Sequence, residues 1–152
     1  GWIIRDVEGI YKGAGQAIGI TTTCALESEL QALIIAMQHL WSQGHRKVIF
    51  EGDNKKVEEL MNNKNINFSY CNWIRDAIHW REHFDDAEFQ WTPRSNNHPA
   101  DLLAKHIMPP NSTFHFHFYV PDFIITALLV SINERSRLKK KKPIILGSVL
   151  FP

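Results

Sequence analysis

Three carboxylates in separate segments are the residues of this sequence that could act together in catalysis. Glu29 lies near the start of a segment with an apolar stripe, Asp53 ends a β-branched run, and Asp101 lies in a later amphipathic segment. If they converge, they offer the oxygen ligands that Mg²⁺ prefers, and two such ions about 4 Å apart can promote phosphodiester cleavage. Spacing alone does not show that they converge. Three ordinary acids at helix starts are the alternative, because the helix dipole favours carboxylates there.

The segment around Asp53 predicts a strand followed by a helix. Residues 47–53 are largely apolar and β-branched and end in Gly-Asp, which is typical of a buried strand that ends at the edge of a sheet. Residues 54–61 predict a helix with Asp53 or Asn54 as its N-cap. Open α/β folds place their binding sites at such strand-to-helix junctions. Asp53 is therefore a functional candidate, and a simple helix cap is the alternative.

The segment around Glu29 predicts an amphipathic helix. Apolar residues recur at helical spacing from Leu26 to Trp41, and Gly44 is expected to end the helix. The threonines at positions 21–23 are expected to supply its N-cap oxygens. Glu29 then lies at the edge of the apolar stripe in the first turns.

The segment around Asp101 predicts another strand followed by a helix. Residues 87–92 alternate between apolar and polar types, which is typical of a strand, and residues 93–96 break it. Asn97 is expected to cap a helix over residues 98–105, with Pro99 inside its first turn. Asp101 would then lie in the first turn of that helix.

The remaining segments complete the predicted α/β fold. Residues 1–20 predict an antiparallel hairpin with a turn over residues 6–9, and Ser69 is expected to cap a helix over residues 70–84. Aromatic residues at 114–119 lead into a short apolar helix over residues 122–133. The element order of two strands, a helix, a strand, two helices, a strand and a helix predicts a mixed sheet, in which an antiparallel hairpin joins parallel strands.

Composition places the chain among soluble globular proteins. Its 152 residues are 44% hydrophobic, which suits one domain with a sizeable core. Cys24 and Cys71 are too few for a disulfide framework and lie in predicted core elements, so a reducing intracellular compartment, nucleus or cytoplasm, is expected. No secretory leader opens the chain and no apolar run reaches transmembrane length, so no membrane association is expected.

The net charge of +1 hides a basic end. From residue 133 onward there are six basic residues and one glutamate, so the rest of the chain carries a negative charge. We expect a domain over residues 1–132 and a basic C-terminal tail over residues 133–152. A solvated tail is the first interpretation, and phosphate binding or nuclear targeting are the alternatives.

Several segments in a fixed order resemble the type 1 ribonuclease H family, and in particular its plant reverse-transcriptase-like branch. Any one of these segments is a weak signal, but the shared order and spacing are a strong one. The resemblance covers about residues 1–132. The segments that carry it are residues 1–9, 29–33, 48–54, 91–105 and 114–132.

The resemblance implies a sheet of five strands with helices and Mg²⁺-dependent hydrolysis of the RNA strand of an RNA–DNA hybrid, with Mn²⁺ as the alternative ion. It assigns Glu29, Asp53 and Asp101 to three of the family's four catalytic, metal-binding carboxylates. Arg94 and Asn97 are matched to substrate-binding positions. The hybrid would be recognised through duplex shape and 2′-hydroxyls. Trp91 could lie near the substrate, but a core position explains it better.

Two departures from the family's pattern bear on activity. The family's first strand, with its Asp-Gly pair and first catalytic carboxylate, would precede Gly1, and Asp6 in the hairpin turn does not replace it. We therefore expect the natural chain to extend upstream and this chain to cleave weakly or not at all. The segment between Trp91 and Asp101 is also shorter than in the bacterial enzymes, so His98 is not assigned their catalytic histidine role.

The other functions left open are a catalytically inactive, transposon-derived nucleic-acid-binding module and a plain interaction domain in which the carboxylates only cap helices. His115 and His117 are interpreted as strand residues in packing and at the surface rather than as zinc ligands.

The missing strand also poses a structural problem. It would pair with the hairpin on one side and with the Asp53 strand on the other, so its loss would leave two unpaired strand edges. One hypothesis is that residues 144–151, which are apolar and β-rich, insert at this position. Such an insertion would restore the pairing but no carboxylate.

Overall fold

The computed structural model describes residues 1–22, 24–63, 72–136 and 144–147. Six strands and five α-helices are formed by these residues, and none of these helices is long and apolar enough to cross a membrane. The strands are β1 (Trp2–Arg5), β2 (Tyr11–Ala17), β3 (Lys47–Gly52), β4 (Asp86–Trp91), β5 (Phe114–His117) and β6 (Ile144–Gly147). The helices are α1 (Ala25–Ser42), α2 (Lys55–Asn62), α3 (Asn72–Arg81), α4 (Arg94–Lys105) and α5 (Ile125–Ser136), with a 3₁₀ turn over Asp122–Ile124.

The sheet is mixed, as predicted. Its strand order is β4-β3-β6-β1-β2-β5. β1 and β2 form the antiparallel hairpin, and β3 and β4 run parallel. β5 adds to the outer edge of the hairpin, antiparallel to β2. The predicted order of strands and helices up to α4 is therefore confirmed.

The hairpin turn is held by the side chain of Asp6. Its Oδ1 accepts hydrogen bonds from the backbone N–H groups of Glu8, at 3.0 Å, and Ile10, at 2.9 Å. Gly9 has a φ of +84°, which residues with a Cβ rarely adopt. Asp6 is thus a turn residue, which agrees with its exclusion as a catalytic substitute.

The start of α1 differs from the prediction. Its N-cap residue is Cys24, which makes no side-chain capping bond. Thr22 does not cap the helix, because its Oγ1 lies 2.5 Å from the Oγ of Ser28 instead. Cys24 is exposed, so its predicted core position is wrong, while Cys71 and the predicted cap Ser69 lie outside the described residues. Gly44, with a φ of +85°, follows the helix end as predicted.

Two hydrophobic clusters cover the two faces of the sheet, because alternate residues of a strand point to opposite sides. On one face, Trp2, Ile4 and Phe50 pack with the buried side of α1. The rings of Phe50 and Phe89 stack there with centroids 5.1 Å apart. On the other face, Ile3 joins a smaller cluster with residues of α4 and α5. A Cβ added to Gly15 would lie 2.2 Å from the Trp2 ring, so this position requires glycine.

β6 lies at the centre of the sheet. It pairs antiparallel with β1 and parallel with β3, with Leu146 opposite both Ile3 and Glu51. This is the position that the resemblance gives to the missing first strand, so the insertion hypothesis is confirmed for residues 144–147; residues 148–151 lie outside the described residues. The residues Ile144–Gly147 include no carboxylate. The expected boundary at residue 132 falls inside α5, and the division into domain and tail stays a prediction.

Arg5 is a charged residue in the sheet interior. Its side chain is 1% exposed, and its Nη2 donates one hydrogen bond, 2.6 Å long, to the Oγ of Ser131 on α5. Ser131 in turn donates to the carbonyl oxygen of Leu128 at 2.8 Å. Nε and Nη1 of Arg5 have no hydrogen-bond partner among the described residues. Burial lowers the pKa of this guanidinium to about 10.

Candidate active site

The carboxylate of Asp53 is available for binding because a neighbour caps the helix. Asn54 is the N-cap of α2, and its side chain accepts hydrogen bonds from the N–H groups of Lys56, at 3.0 Å, and Val57, at 3.4 Å. The alternative interpretation of Asp53 as a helix cap is therefore wrong. Asp53 follows the last residue of β3, at the edge of the sheet where the sequence predicted a site.

Two residues from the first turns of α4 contact Asp53. The Nδ2 of Asn97 donates to Oδ1 of Asp53 at 3.0 Å, and the Nε of Arg94 lies 3.9 Å from Oδ2. Residues three apart in a helix lie on one face, so α4 presents both side chains together. Asn97 is not the predicted cap, because α4 already begins at Arg94 and leaves Asn97 buried inside the helix. Its amide instead donates to the carboxylate of Asp53.

Asp101 lies one turn beyond Asn97 on α4. The earlier helix start puts it in the second turn rather than in the predicted first turn. It is 7% exposed, and its Oδ2 accepts a hydrogen bond from Nζ of Lys105 at 3.0 Å. Its Oδ1 is buried and has no hydrogen-bond partner among the described residues. A buried carboxylate oxygen without a donor is a group that a bound cation would satisfy.

Glu29 lies in the second turn of α1, at the edge of the sheet that also carries Asp53. It lines an open cleft together with Asp53. Gly1, just before β1, lines a neighbouring pocket together with Glu29 and packs against Ala100 and Ala104, which lie on either side of Asp101 on α4. The structure thus brings all three predicted residues to one edge of the sheet.

The three acids do not form a closed ligand cluster. Within the described residues, no group of three or more His, Cys, Asp or Glu side chains is arranged to hold a metal ion. Arg94 and Lys105 lie against Asp53 and Asp101, where they offset the negative charge. The donor set fits Mg²⁺ in its chemistry, because the three residues offer carboxylate oxygens. An ion would have to compete with these two cationic side chains.

Trp91 lies at the mouth of the cleft rather than in the predicted core. It is 42% exposed because it is the last residue of the edge strand β4, opposite Gly52. Its Nε1 donates to the backbone oxygen of Asp53 at 3.2 Å. The Nζ of Lys55 lies 4.7 Å from its ring centroid, which is a cation–π distance. An indole ring is therefore fixed beside the candidate carboxylates with part of its surface exposed to solvent.

The cleft has a cationic rim, of which the sequence predicted Arg94 but not the two lysines. Lys55, Lys56 and Arg94 line it, and all three are exposed. The only sequence signal of the two lysines was their position just after the strand end that carries Asp53. Cationic side chains beside an aromatic ring are a combination that binds phosphates and stacks bases.

The predicted strand positions of His115 and His117 are confirmed in β5. Nε2 of His117 lies 2.7 Å from Oε1 of Gln16, and burial is the main cause that lowers the pKa of this histidine. His98 is exposed on α4.

A comparison with protein families gives a match over residues 1–107 to the family described as reverse transcriptase-like. The chain belongs to the reverse transcriptase-like family. The matched region runs from β1 through α4 and includes all three candidate carboxylates. No curated protein and no solved structure matches the chain.

Membership in the reverse transcriptase-like family confirms the resemblance to ribonuclease H-like domains. At the level of the family, it indicates nucleic-acid binding and nuclease-type hydrolysis. The assignment to the plant branch stays a prediction.

Proposed function

We propose that the chain binds RNA–DNA hybrids and supports slow, Mg²⁺-dependent hydrolysis of the RNA strand. The observation that supports this most is the arrangement at the edge of the sheet. Glu29 and Asp53 line one cleft, and Asp101 lies one turn of α4 from the residue that binds Asp53. Family membership supports the same class of reaction.

Each carboxylate has a proposed role. Glu29, Asp53 and Asp101 would hold Mg²⁺, with Mn²⁺ as the alternative ion. When bound, the ion would supply positive charge to the phosphate oxygens and would lower the pKa of a bound water molecule. Asn97 is a positioning residue, because its amide fixes the orientation of the Asp53 carboxylate. Its neutral amide does so without adding positive charge where the cation would bind.

The cationic rim and Trp91 are proposed to hold the substrate strand. Lys55, Lys56 and Arg94 offer positive charge to phosphates, and charge-assisted contacts of this kind make binding strongly dependent on salt. The exposed part of the Trp91 ring offers a surface on which a base can stack.

We expect slow rather than efficient turnover, because the centre of the described sheet supplies no fourth carboxylate. β6 occupies the position of the strand that would carry the fourth carboxylate, and Ile144–Gly147 include no acid. A second candidate is therefore nucleic-acid binding without turnover, as expected of a transposon-derived module. The contact of Lys105 with Asp101, at 3.0 Å, favours this alternative, because it already neutralises one of the three acids.

A cleavage and binding experiment separates these functions. A labelled RNA–DNA hybrid is incubated with the chain and Mg²⁺, and binding is measured in parallel by fluorescence anisotropy. We expect slow cleavage that Asp53→Asn abolishes while binding is kept. Asp6→Asn, which removes an acid from the distant hairpin turn, is the matched control and should leave both signals unchanged.

The other outcomes each select a different function. Binding without cleavage by the unmodified chain selects the second candidate. Absence of hybrid binding at low salt contradicts both and leaves an interaction domain. Cleavage that persists in Asp53→Asn contradicts the proposed carboxylate site.

A further inference from the structure

A pair of histidines lies at the end of the molecule opposite the cleft. His79 is in the last turn of α3, and His83 follows in the turn after it. The chain then enters β4, whose first residue Asp86 pairs with Lys47 at the start of β3. Asp53 follows the other end of β3, so the histidines and the cleft lie at opposite ends of these strands. Both histidines are exposed, and their ring centroids are 4.9 Å apart with an interplanar angle of 85°.

The tautomer of His83 is fixed by its hydrogen bond. Its Nδ1 lies 3.0 Å from the backbone oxygen of His79. A carbonyl oxygen can only accept, so Nδ1 carries the proton and Nε2 keeps its lone pair. An N–H bonded to a backbone carbonyl is the arrangement that orients histidines whose other nitrogen binds a metal.

The ring of His83 is also held in place by aromatic neighbours. It stacks on Trp80, with centroids 4.8 Å apart and an interplanar angle of 27°. Trp41 meets it edge to face at 6.1 Å. These contacts limit rotation of the ring, so its Nε2 points in one direction before any ion arrives. His79 is exposed, so its ring can turn toward a shared ion at low cost.

We propose that His79 and His83 form a surface site for one borderline divalent transition ion, such as Ni²⁺, Cu²⁺ or Zn²⁺. Imidazole nitrogens suit these ions, and two histidines four residues apart at a helix can reach the same ion. Water completes the coordination, because the described residues include no third ligand of the His, Cys, Asp or Glu types arranged with them. Mg²⁺ prefers oxygen ligands, so this site does not compete for the ion proposed for the cleft.

The site is tested by titrating Ni²⁺ into the chain in excess Mg²⁺, with heat and tryptophan emission as readouts. Every protein used carries Cys24→Ser, because the exposed Cys24 thiol would bind the same ion. We expect one saturable phase that quenches emission, since Trp80 is stacked on a ligand. His79→Ala and His83→Ala should each weaken that phase by roughly tenfold or more. Ni²⁺ should also raise the midpoint of thermal unfolding of the parent chain but not of His79→Ala.

A second close histidine pair supplies the matched control. The rings of His115 and His117 are 4.4 Å apart, but Nε2 of His117 is occupied by Gln16. His115→Ala should therefore leave the Ni²⁺ phase unchanged. A phase that is unchanged in His79→Ala, or lost in His115→Ala, overturns the proposal and leaves His83 as a residue that only closes the end of α3. If His83→Ala fails to fold, His79→Ala decides the question, because the hydrogen bond from His83 uses only the backbone oxygen of His79.

Discussion

The buried Arg5 makes a prediction in which removing a charge stabilises the protein. Burial lowers its pKa to about 10, which corresponds to roughly 3 kcal/mol of free energy needed to keep the guanidinium charged. The described residues offer it one hydrogen bond, from Nη2 to Ser131, and leave two of its nitrogens unpaired. Replacing a buried charge by an apolar side chain of similar length is often neutral or stabilising. We expect Arg5→Met to raise the free energy of unfolding by roughly 1–3 kcal/mol.

Ser131→Ala should have the opposite effect. It removes the hydrogen bond that the buried guanidinium donates to Ser131, and bonds to charged groups contribute about 1.5–3 kcal/mol. In the double variant of Arg5→Met with Ser131→Ala, the serine change should cost clearly less, because its charged partner is gone. Urea unfolding followed by circular dichroism measures all three free energies. Arg75→Met, which removes an exposed arginine from α3, is the control and should change stability by about 0.5 kcal/mol or less.

A loss of stability in Arg5→Met that exceeds the loss in Ser131→Ala would contradict this prediction. Such a result would mean that a carboxylate pairs with the guanidinium, because breaking a buried ion pair costs about 3–5 kcal/mol.

Three further predictions concern Trp91 in the cleft, Gly15 in the hairpin and the partly buried His39. Trp91→Ala should weaken hybrid binding by about 1–3 kcal/mol in anisotropy titrations. Trp41→Ala, at the other end of the molecule, is the control and should not weaken binding. Equal effects of the two changes would contradict the stacking role of Trp91. Gly15→Ala should destabilise the fold by about 1–3 kcal/mol in urea, because the new Cβ would collide with Trp2, and a stable variant would mean that the ring can move aside. Burial, and to a smaller extent the nearby His45, lower the pKa of His39 in the folded protein. The unfolded chain therefore binds a proton more readily than the folded one, and the free energy of unfolding should fall as pH drops below 6.5. His39→Leu should flatten this decline in thermal melts recorded from neutral to mildly acidic pH, and an unchanged slope would assign it to other groups.

The elements near the site were predictable because their signals are local. The apolar run before Asp53 and the Asn54 side chain after it mark a strand end and a helix start within a few residues. The start of α4 was missed because Asn97, a good capping residue, instead binds Asp53 from another element. No local pattern reports such a contact. The meeting of the three acids at one edge was likewise open until the elements were assembled.

Trp91 shows a second limit of local reasoning. An aromatic residue in an alternating strand favours burial, but exposure depends on which strand forms the edge of the sheet and where it ends. The central position of β6 depends on pairing with β1 and β3, which lie far away along the chain. This position could be proposed from the unpaired edges of β1 and β3 that the resemblance implied, but not from the sequence of β6 itself.

The position of β6 also has a consequence for the order of folding. Trp2 and Gly147 are register partners, so the centre of the sheet closes a loop that spans nearly the whole described chain. Contacts this distant in sequence carry a high entropic cost and slow folding. During synthesis, the hairpin and the β3–β4 pair emerge well before the strand that joins them. Until β6 arrives, each has an open edge that can pair with another chain. The protein is therefore expected to be most prone to misassociation before β6 has been synthesised.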